Sequence, residues 1–188
     1  MDLTLYFAPG SCSRVPLIAL EEIGVSFESR VVAFMAREHR SPDYLALNPA
    51  GKVPTLIVDG RAIAQNAAIQ LFLARSFPQA GLLPLTGDAY EDSAVISRLA
   101  WFSSDLHPLV TRIRMPHFFC DGPGGPERVR ELGIAAMAAQ LAPLDAILNN
   151  QRWVLGQSWS VLDAYLYWVW FRITGAGFVQ PFPHITNE

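Results

Sequence analysis

The stretch NPAGKVPTLIVDGRAIAQN, Asn48 to Asn66, decides how the N-terminal half folds. Thr55 to Val58 and Arg61 to Ala64 are short β-prone runs on either side of Asp59-Gly60. Asp-Gly between two such runs is the strongest short hairpin signal, because both residues of the tight turn need positive φ. Pro54 stands just before the first run, since a residue without an N–H cannot join a central ladder without losing a hydrogen bond. The pattern predicts an antiparallel pair, followed by a helix over Ala67 to Phe77 that Pro78 ends.

Upstream, Leu3 to Phe7 reads as a strand and Ala8-Pro9-Gly10-Ser11 as a turn. From Ser13, the spacing of Val15, Ile18, Ala19 and Ile23 suits one helical face, stopped by Gly24. Val25 to Val32 reads as a second strand, and Arg37 to Leu47 as a broken polar segment with a short helix after Ser41-Pro42. The order is β-α-β, a loop segment, then β-β-α. Strands joined by a helix run parallel with a right-handed crossover. The expected sheet is therefore mixed and four-stranded, a thioredoxin-like domain over residues 1–78. A Pro- and Gly-rich linker at 79–88 follows. Beyond it strand signals stop, and Ala89 to Phe119, Gly125 to Asn149 and Ser160 to Ile173 carry helical patterns. The fold class is α/β plus all-α, with residues 89–188 expected to form a helical bundle domain.

Of the 188 residues 51% are apolar and 16% charged, against roughly 25% charged in an average chain. That composition excludes disorder and suggests that a partner subunit covers part of the surface. The net charge of −3 leaves no overall footprint for nucleic acid, and Lys52 is the lone lysine, so there is no lysine-rich tail. The longest aromatic and aliphatic run, Ala164 to Phe171, falls far short of the ~20 residues that cross a bilayer. The N-terminus opens directly into a strand-like run, so no secretory leader is expected. Two cysteines, Cys12 and Cys120, make no disulfide framework. A cytoplasmic chain without membrane or nucleic-acid partners is expected.

Three places could carry chemistry. Cys12 sits in Gly10-Ser11-Cys12-Ser13, between a strand and a helix start, where unpaired N–H groups and the helix dipole favour an anion. There it could act as a thiolate, or Ser11 and Ser13 could donate to one that is bound. Equally, Ser13 could cap the helix over a small buried cysteine. Val53-Pro54 fits either a cis bond that presents the Val53 backbone to an extended peptide, or an ordinary turn. Asn66, after Gln65, fits a helix cap or a site for a ligand carboxylate. Cys12 lacks a second cysteine three residues on, where Val15 stands, which disfavours two-cysteine redox chemistry.

Taken together, Pro9 to Ser13, Asn48 to Pro54, Gln65-Asn66 and an all-helical C-terminal half resemble the cytosolic glutathione S-transferases, closest to the bacterial beta class. Gly156 to Leu166 is similar to the family's helix-starting segment, in which Ser160 and Asp163 form a capping box. The resemblance implies a homodimeric, detoxifying enzyme with glutathione as co-substrate, a hydrophobic electrophile as second substrate, and no metal. It implies Cys12 beside the glutathione sulfur, with Ser11 and Ser13 as further donors. The Val53 backbone, with a cis Pro54, would meet the cysteinyl part, Gln65 and Asn66 the γ-glutamyl group, and Arg37 the glycine carboxylate, with Lys52 also among the glutathione-binding residues. His107 matches a histidine that serves the site from the helical domain. Phe7, Trp101, Phe118 and Phe119 would line the electrophile pocket. Two departures stand out: Asn66 replaces the usual serine, and Pro108 the frequent lysine. Pro183 to Glu188 resembles the start of a further bracing helix. The same scaffold also serves glutathione-dependent isomerases, ether-cleaving enzymes and non-catalytic binding or regulatory modules.

Overall fold

Alternation along Leu3–Phe7 builds the first layer: Leu3 and Leu5 are buried, while Thr4 and Tyr6 point to the opposite face. In the computed structural model, which describes residues 1–186, this run is strand β1. It pairs in parallel with β2 (Glu28–Val31) and antiparallel with β3 (Thr55–Val58), which pairs antiparallel with β4 (Arg61–Ala64). The sheet order is β2-β1-β3-β4, the mixed four-stranded sheet read from the sequence. β2 is shorter than Val25–Val32, because pairing begins at Thr4–Glu28 and Val25–Phe27 precede the ladder. Asp59 and Gly60 hold φ of 48° and 79°, as the hairpin turn requires.

The buried apolar side chains of this unit, Met1–Leu85, come from Leu3, Leu5 and Leu56 together with two helices that pack on each other. Helix α1 (Arg14–Ile23) supplies Val15, Ala19 and Leu20 and stops at Gly24, whose φ of 73° favours glycine. Helix α3 (Asn66–Ser76) supplies Ile69 and Leu73. Helix α2 (Pro42–Leu47), between them in sequence, buries Tyr44 with Ala8, Val32 and Val53 in a small cluster against Tyr6.

Among the described residues from Thr86 onward, the second unit, the regular elements are helices. The expected helix over Ala89–Phe119 is broken into pieces. α4 (Ala89–Trp101) passes into a π turn at Phe102–Leu106, and α5 (His107–Arg114) follows. Pro108 explains the π turn: it has no N–H, and its ring would meet the carbonyl of residue 104 in a regular helix. The His107 N–H instead reaches the Phe102 carbonyl, five residues back. α6 (Gly125–Leu148) packs along α5, and a Cβ at Gly133 would lie 3.2 Å from that of Arg112. Among the described residues α6 is also apolar and long enough in composition to cross a membrane. α7 (Val161–Thr174) is the most deeply buried helix, and Pro183–Thr186 forms the short α8. Asn187 and Glu188, the rest of the expected bracing-helix start, lie outside the described residues.

α7 begins with the anticipated capping box. Asp163 accepts from the Ser160 N–H at 2.8 Å, the Ser160 hydroxyl at 2.9 Å and, with its other oxygen, the Val154 N–H at 2.7 Å. Burial pushes the Asp163 carboxyl above its ordinary value despite these bonds. Asp163→Ala leaves two buried N–H groups without their acceptor, so we expect a loss of about 2–4 kcal/mol in denaturant unfolding. A loss below about 0.5 kcal/mol would show that the helix start does not depend on the box.

Candidate functional site

The loop from Ala8 to Ser13 is braced by its own hydroxyls. Ser11 donates to the Ala8 carbonyl at 2.7 Å, the Ala8 N–H donates to Ser13 Oγ at 3.2 Å, and the two serine hydroxyls bond to each other. Ser13 holds the N-cap position of α1 without a capping bond, because its side chain is turned back to Ala8. The structure thus places both serines in bonds that shape the loop around Cys12.

Cys12 is buried, and its Sγ lies 3.6 Å from the Val53 carbonyl oxygen as a thiol donor. Its own carbonyl accepts from Asn66 Nδ2 at 2.8 Å, and Asn66 Oδ1 accepts from Gln70 Nε2 at 3.1 Å. The Val53–Pro54 bond is cis. Three segments therefore meet at Cys12: the loop before α1, the cis-proline turn, and the start of α3. Asn66 does not cap α3, since its amide is spent across the gap to Cys12. Gln65 takes the N-cap position with φ of 73° and no capping bond. A non-glycine residue at such φ costs on the order of 1–3 kcal/mol and persists only where its surroundings enforce it.

The cis-proline turn is fixed from behind by a buried polar network. The Tyr44 hydroxyl donates to the Lys52 carbonyl at 2.7 Å and lies 3.0 Å from Thr55 Oγ1. Asn48 Nδ2 donates to the same carbonyl at 2.8 Å, and its Oδ1 accepts from the Ala50 N–H at 3.1 Å. Burial raises the Tyr44 hydroxyl above its ordinary value, against the pull of its bonds with Thr55 and Asn48. Gly51 is obligatory: at φ 59°, a Cβ there would sit 2.7 Å from the His39 carbonyl oxygen. Sequence reasoning quoted Asn48 and missed Tyr44 and Thr55. The available signal was a tyrosine on a short helix, whose hydroxyl needs a partner once the ring is buried.

Other candidates are spread more widely. Lys52 is exposed and enters the network through its carbonyl alone among the bonds described. Arg37 is exposed at φ 57°, ahead of the turn Glu38–Arg40. Phe7 ends β1 and borders a cleft of about 170 Å³ on the first unit. The remaining four belong to the helical unit. His107 Nδ1 hydrogen-bonds the buried Tyr165 hydroxyl at 2.8 Å, with its ring edge-on to Trp168. Trp101 Nε1 donates to Gln140 at 2.7 Å. Phe118 and Phe119 are 67% and 47% exposed, the latter beneath the Arg112 guanidinium. Among the described residues no three His, Cys, Asp or Glu side chains gather as metal ligands.

Residues 1–75 match the family model of the glutathione S-transferase N-terminal domain. A glutathione S-transferase of Xanthomonas campestris is 36% identical over 167 residues, 88% of this chain and 79% of its own. The structure of a beta-class glutathione S-transferase from Sphingomonas chungbukensis is similar at TM-score 0.84 and 31% identity, covering 98% of this chain and 89% of that one. A glutathione transferase homologue from Sulfitobacter with bound glutathione reaches TM-score 0.86 at 29% identity, with coverage of 98% and 89%.

Tyr44→Phe removes the donor to Lys52 and should cost about 1–2 kcal/mol near neutral pH. Because the folded state holds the Tyr44 proton more tightly than the unfolded chain, that contribution is whole below the unfolded value of about 10 and fades as pH rises past it. Unfolding curves at pH 8 and above 10 should show the gap between wild type and Tyr44→Phe closing. A gap that widens would contradict the assignment.

Proposed function

Because this chain belongs to the glutathione S-transferase family, we propose that it binds glutathione across the starts of α1 and α3 and uses its thiolate for group transfer. The meeting of Cys12, the cis Val53–Pro54 turn and Asn66 carries this reading. Glutathione is an extended tripeptide with a carboxylate at each end, and the site offers matching chemistry along one line. The Val53 backbone takes the cysteinyl portion by strand-like pairing. The γ-glutamyl group falls to the Gln65 side chain and the N-terminus of α3, since the Asn66 amide is engaged in holding Cys12. Arg37 and Lys52 supply cations for the glycine end.

Two chemistries follow from a sulfur held at a helix start. In conjugation the glutathione thiolate attacks an electrophilic carbon, a C–S bond forms, and the leaving group departs with its electron pair. In exchange the Cys12 thiolate attacks a mixed disulfide of glutathione and releases the other thiolate. A second glutathione thiolate then frees Cys12 and leaves as oxidised glutathione. Exchange by this route, with Cys12 as the redox group, needs the protein sulfur, whereas conjugation needs only a stabilised glutathione thiolate. A cytoplasmic setting, where glutathione is kept as the thiol, fits the same chemistry.

Titration calorimetry with glutathione tests the binding, and absence of heat at millimolar concentration would overturn it. Cys12→Ala, compared at equal glutathione saturation, should abolish exchange and lower conjugation by no more than about 10²–10³. Equal small losses in both assays would make Cys12 structural.

We also propose a two-fold homodimer, supported by the charged fraction of 16% and by the family. Light scattering at micromolar concentration should give twice the 20.8 kDa chain mass, and a monomeric mass would refute the dimer.

A further inference from the structure

Gln70 stands one turn after Asn66 and shares the buried face of α3 with Ile69, Leu73 and Ala74. It is 0% exposed, in the layer where α3 packs on α1. Its Nε2 donates to Asn66 Oδ1 at 3.1 Å, while its Oε1 is buried with no hydrogen-bond partner among the described residues. A buried amide with one bond unmade costs free energy that an apolar side chain avoids. Methionine has nearly the same volume and would fill this place without that cost, so packing does not account for a glutamine here.

The chemistry of the three groups fixes their orientation. The Cys12 carbonyl can only accept, so Asn66 turns Nδ2 toward it, at 2.8 Å. Asn66 Oδ1 then faces Gln70, which answers with Nε2 and leaves its own Oε1 unused. Without that donor Asn66 Oδ1 would be the buried orphan, and any rotation that satisfied it elsewhere would withdraw Nδ2 from Cys12. The Cys12 carbonyl also accepts from the Val15 N–H at 3.1 Å, so the two donors together set the peptide plane that joins Cys12 to α1. We propose that Gln70 is a positioning residue, which commits the Asn66 amide to the Cys12 carbonyl and so sets where the Cys12 sulfur stands for exchange. The proposal rests on the transferase reading above, and Gln70 acts through Asn66 along a path of two hydrogen bonds.

The test compares two reactions in wild type and Gln70→Met. In exchange with the mixed disulfide of glutathione and 2-mercaptoethanol, Cys12 bonds the glutathione sulfur and the 2-mercaptoethanol thiolate leaves with the S–S electrons. A second glutathione thiolate then frees Cys12 as its thiolate and forms oxidised glutathione. In conjugation with 1-chloro-2,4-dinitrobenzene the glutathione thiolate replaces chloride, and no bond to Cys12 forms. Gln70→Met should lower the ratio of exchange kcat to conjugation kcat about 10- to 100-fold, the scale of loss for a reacting group misplaced by about 1 Å. In an Asn66→Ala background the same substitution should change the ratio less than twofold, because its route is gone. A ratio within threefold of wild type in Gln70→Met, or a change of twofold or more in the Asn66→Ala background, overturns the proposal. Wild-type conjugation shows separately that the transferase reading stands. Should wild type fail in exchange, the rate of Cys12 with 4,4′-dithiodipyridine decides, measured in Cys120→Ser proteins. A change of threefold or more on Gln70→Met then supports the proposal, and a smaller one overturns it. Should Gln70→Met not melt cooperatively, Gln70→Asn, whose amide stands one methylene back, replaces it under the same limits.

Discussion

The hydrogen bond from Asn66 Nδ2 to the Cys12 carbonyl joins segments 54 residues apart and draws the start of α3 onto the loop that carries the thiol. Both groups are buried, so the bond is made away from water, and losing either partner would strand the other at a cost of about 1–3 kcal/mol. Gln70 extends the link by donating to Asn66 Oδ1. The consequence for the neighbouring residue is direct. With Asn66 used as a tie, Gln65 turns the chain into α3 at positive φ and makes no side-chain capping bond.

Behind the opposite wall, Tyr44, Asn48 and Thr55 do for the cis-proline turn what Asn66 does for the cysteine loop. Two side-chain donors converge on the carbonyl of Lys52, and Gly51 lets the turn approach His39 closely. These are neutral groups, so the site is rigid without any buried ion pair, an arrangement that avoids the desolvation penalty of paired charges.

The helical unit solves a different problem in the same way, by answering a missing or unpaired backbone group. Pro108 cannot donate, and the chain responds with a π turn that gives the His107 N–H the Phe102 carbonyl. His107 then stands with Nδ1 on the Tyr165 hydroxyl, its ring against Trp168. At the other end of α7's leading segment, Asp163 satisfies the N–H groups of Val154 and Ser160. Arg130, from α6, donates to carbonyls of Ile113 and Ala176, closing the ends of α5 and α7.

Local sequence determined what depends on local geometry. Asp59-Gly60 encoded the hairpin because its turn needs positive φ, Gly24 ended α1 for the same reason, and the Ser160–Asp163 spacing encoded the capping box within one helical turn. The order of strands and helices followed, since a helix between two strands restricts them to a parallel crossover. Tertiary structure alone decided the partners of polar side chains. Asn66 looked like a cap and became a tie to Cys12, Ser13 turned back to Ala8, and Tyr44 found the Lys52 carbonyl. The break of the Ala89–Phe119 pattern at Pro108 became a π turn, a choice set by which carbonyl the displaced N–H could reach. A buried polar group must be satisfied, but its partner is chosen by whatever the fold brings within about 3 Å, and residues distant in the chain carry no periodic signal of that meeting.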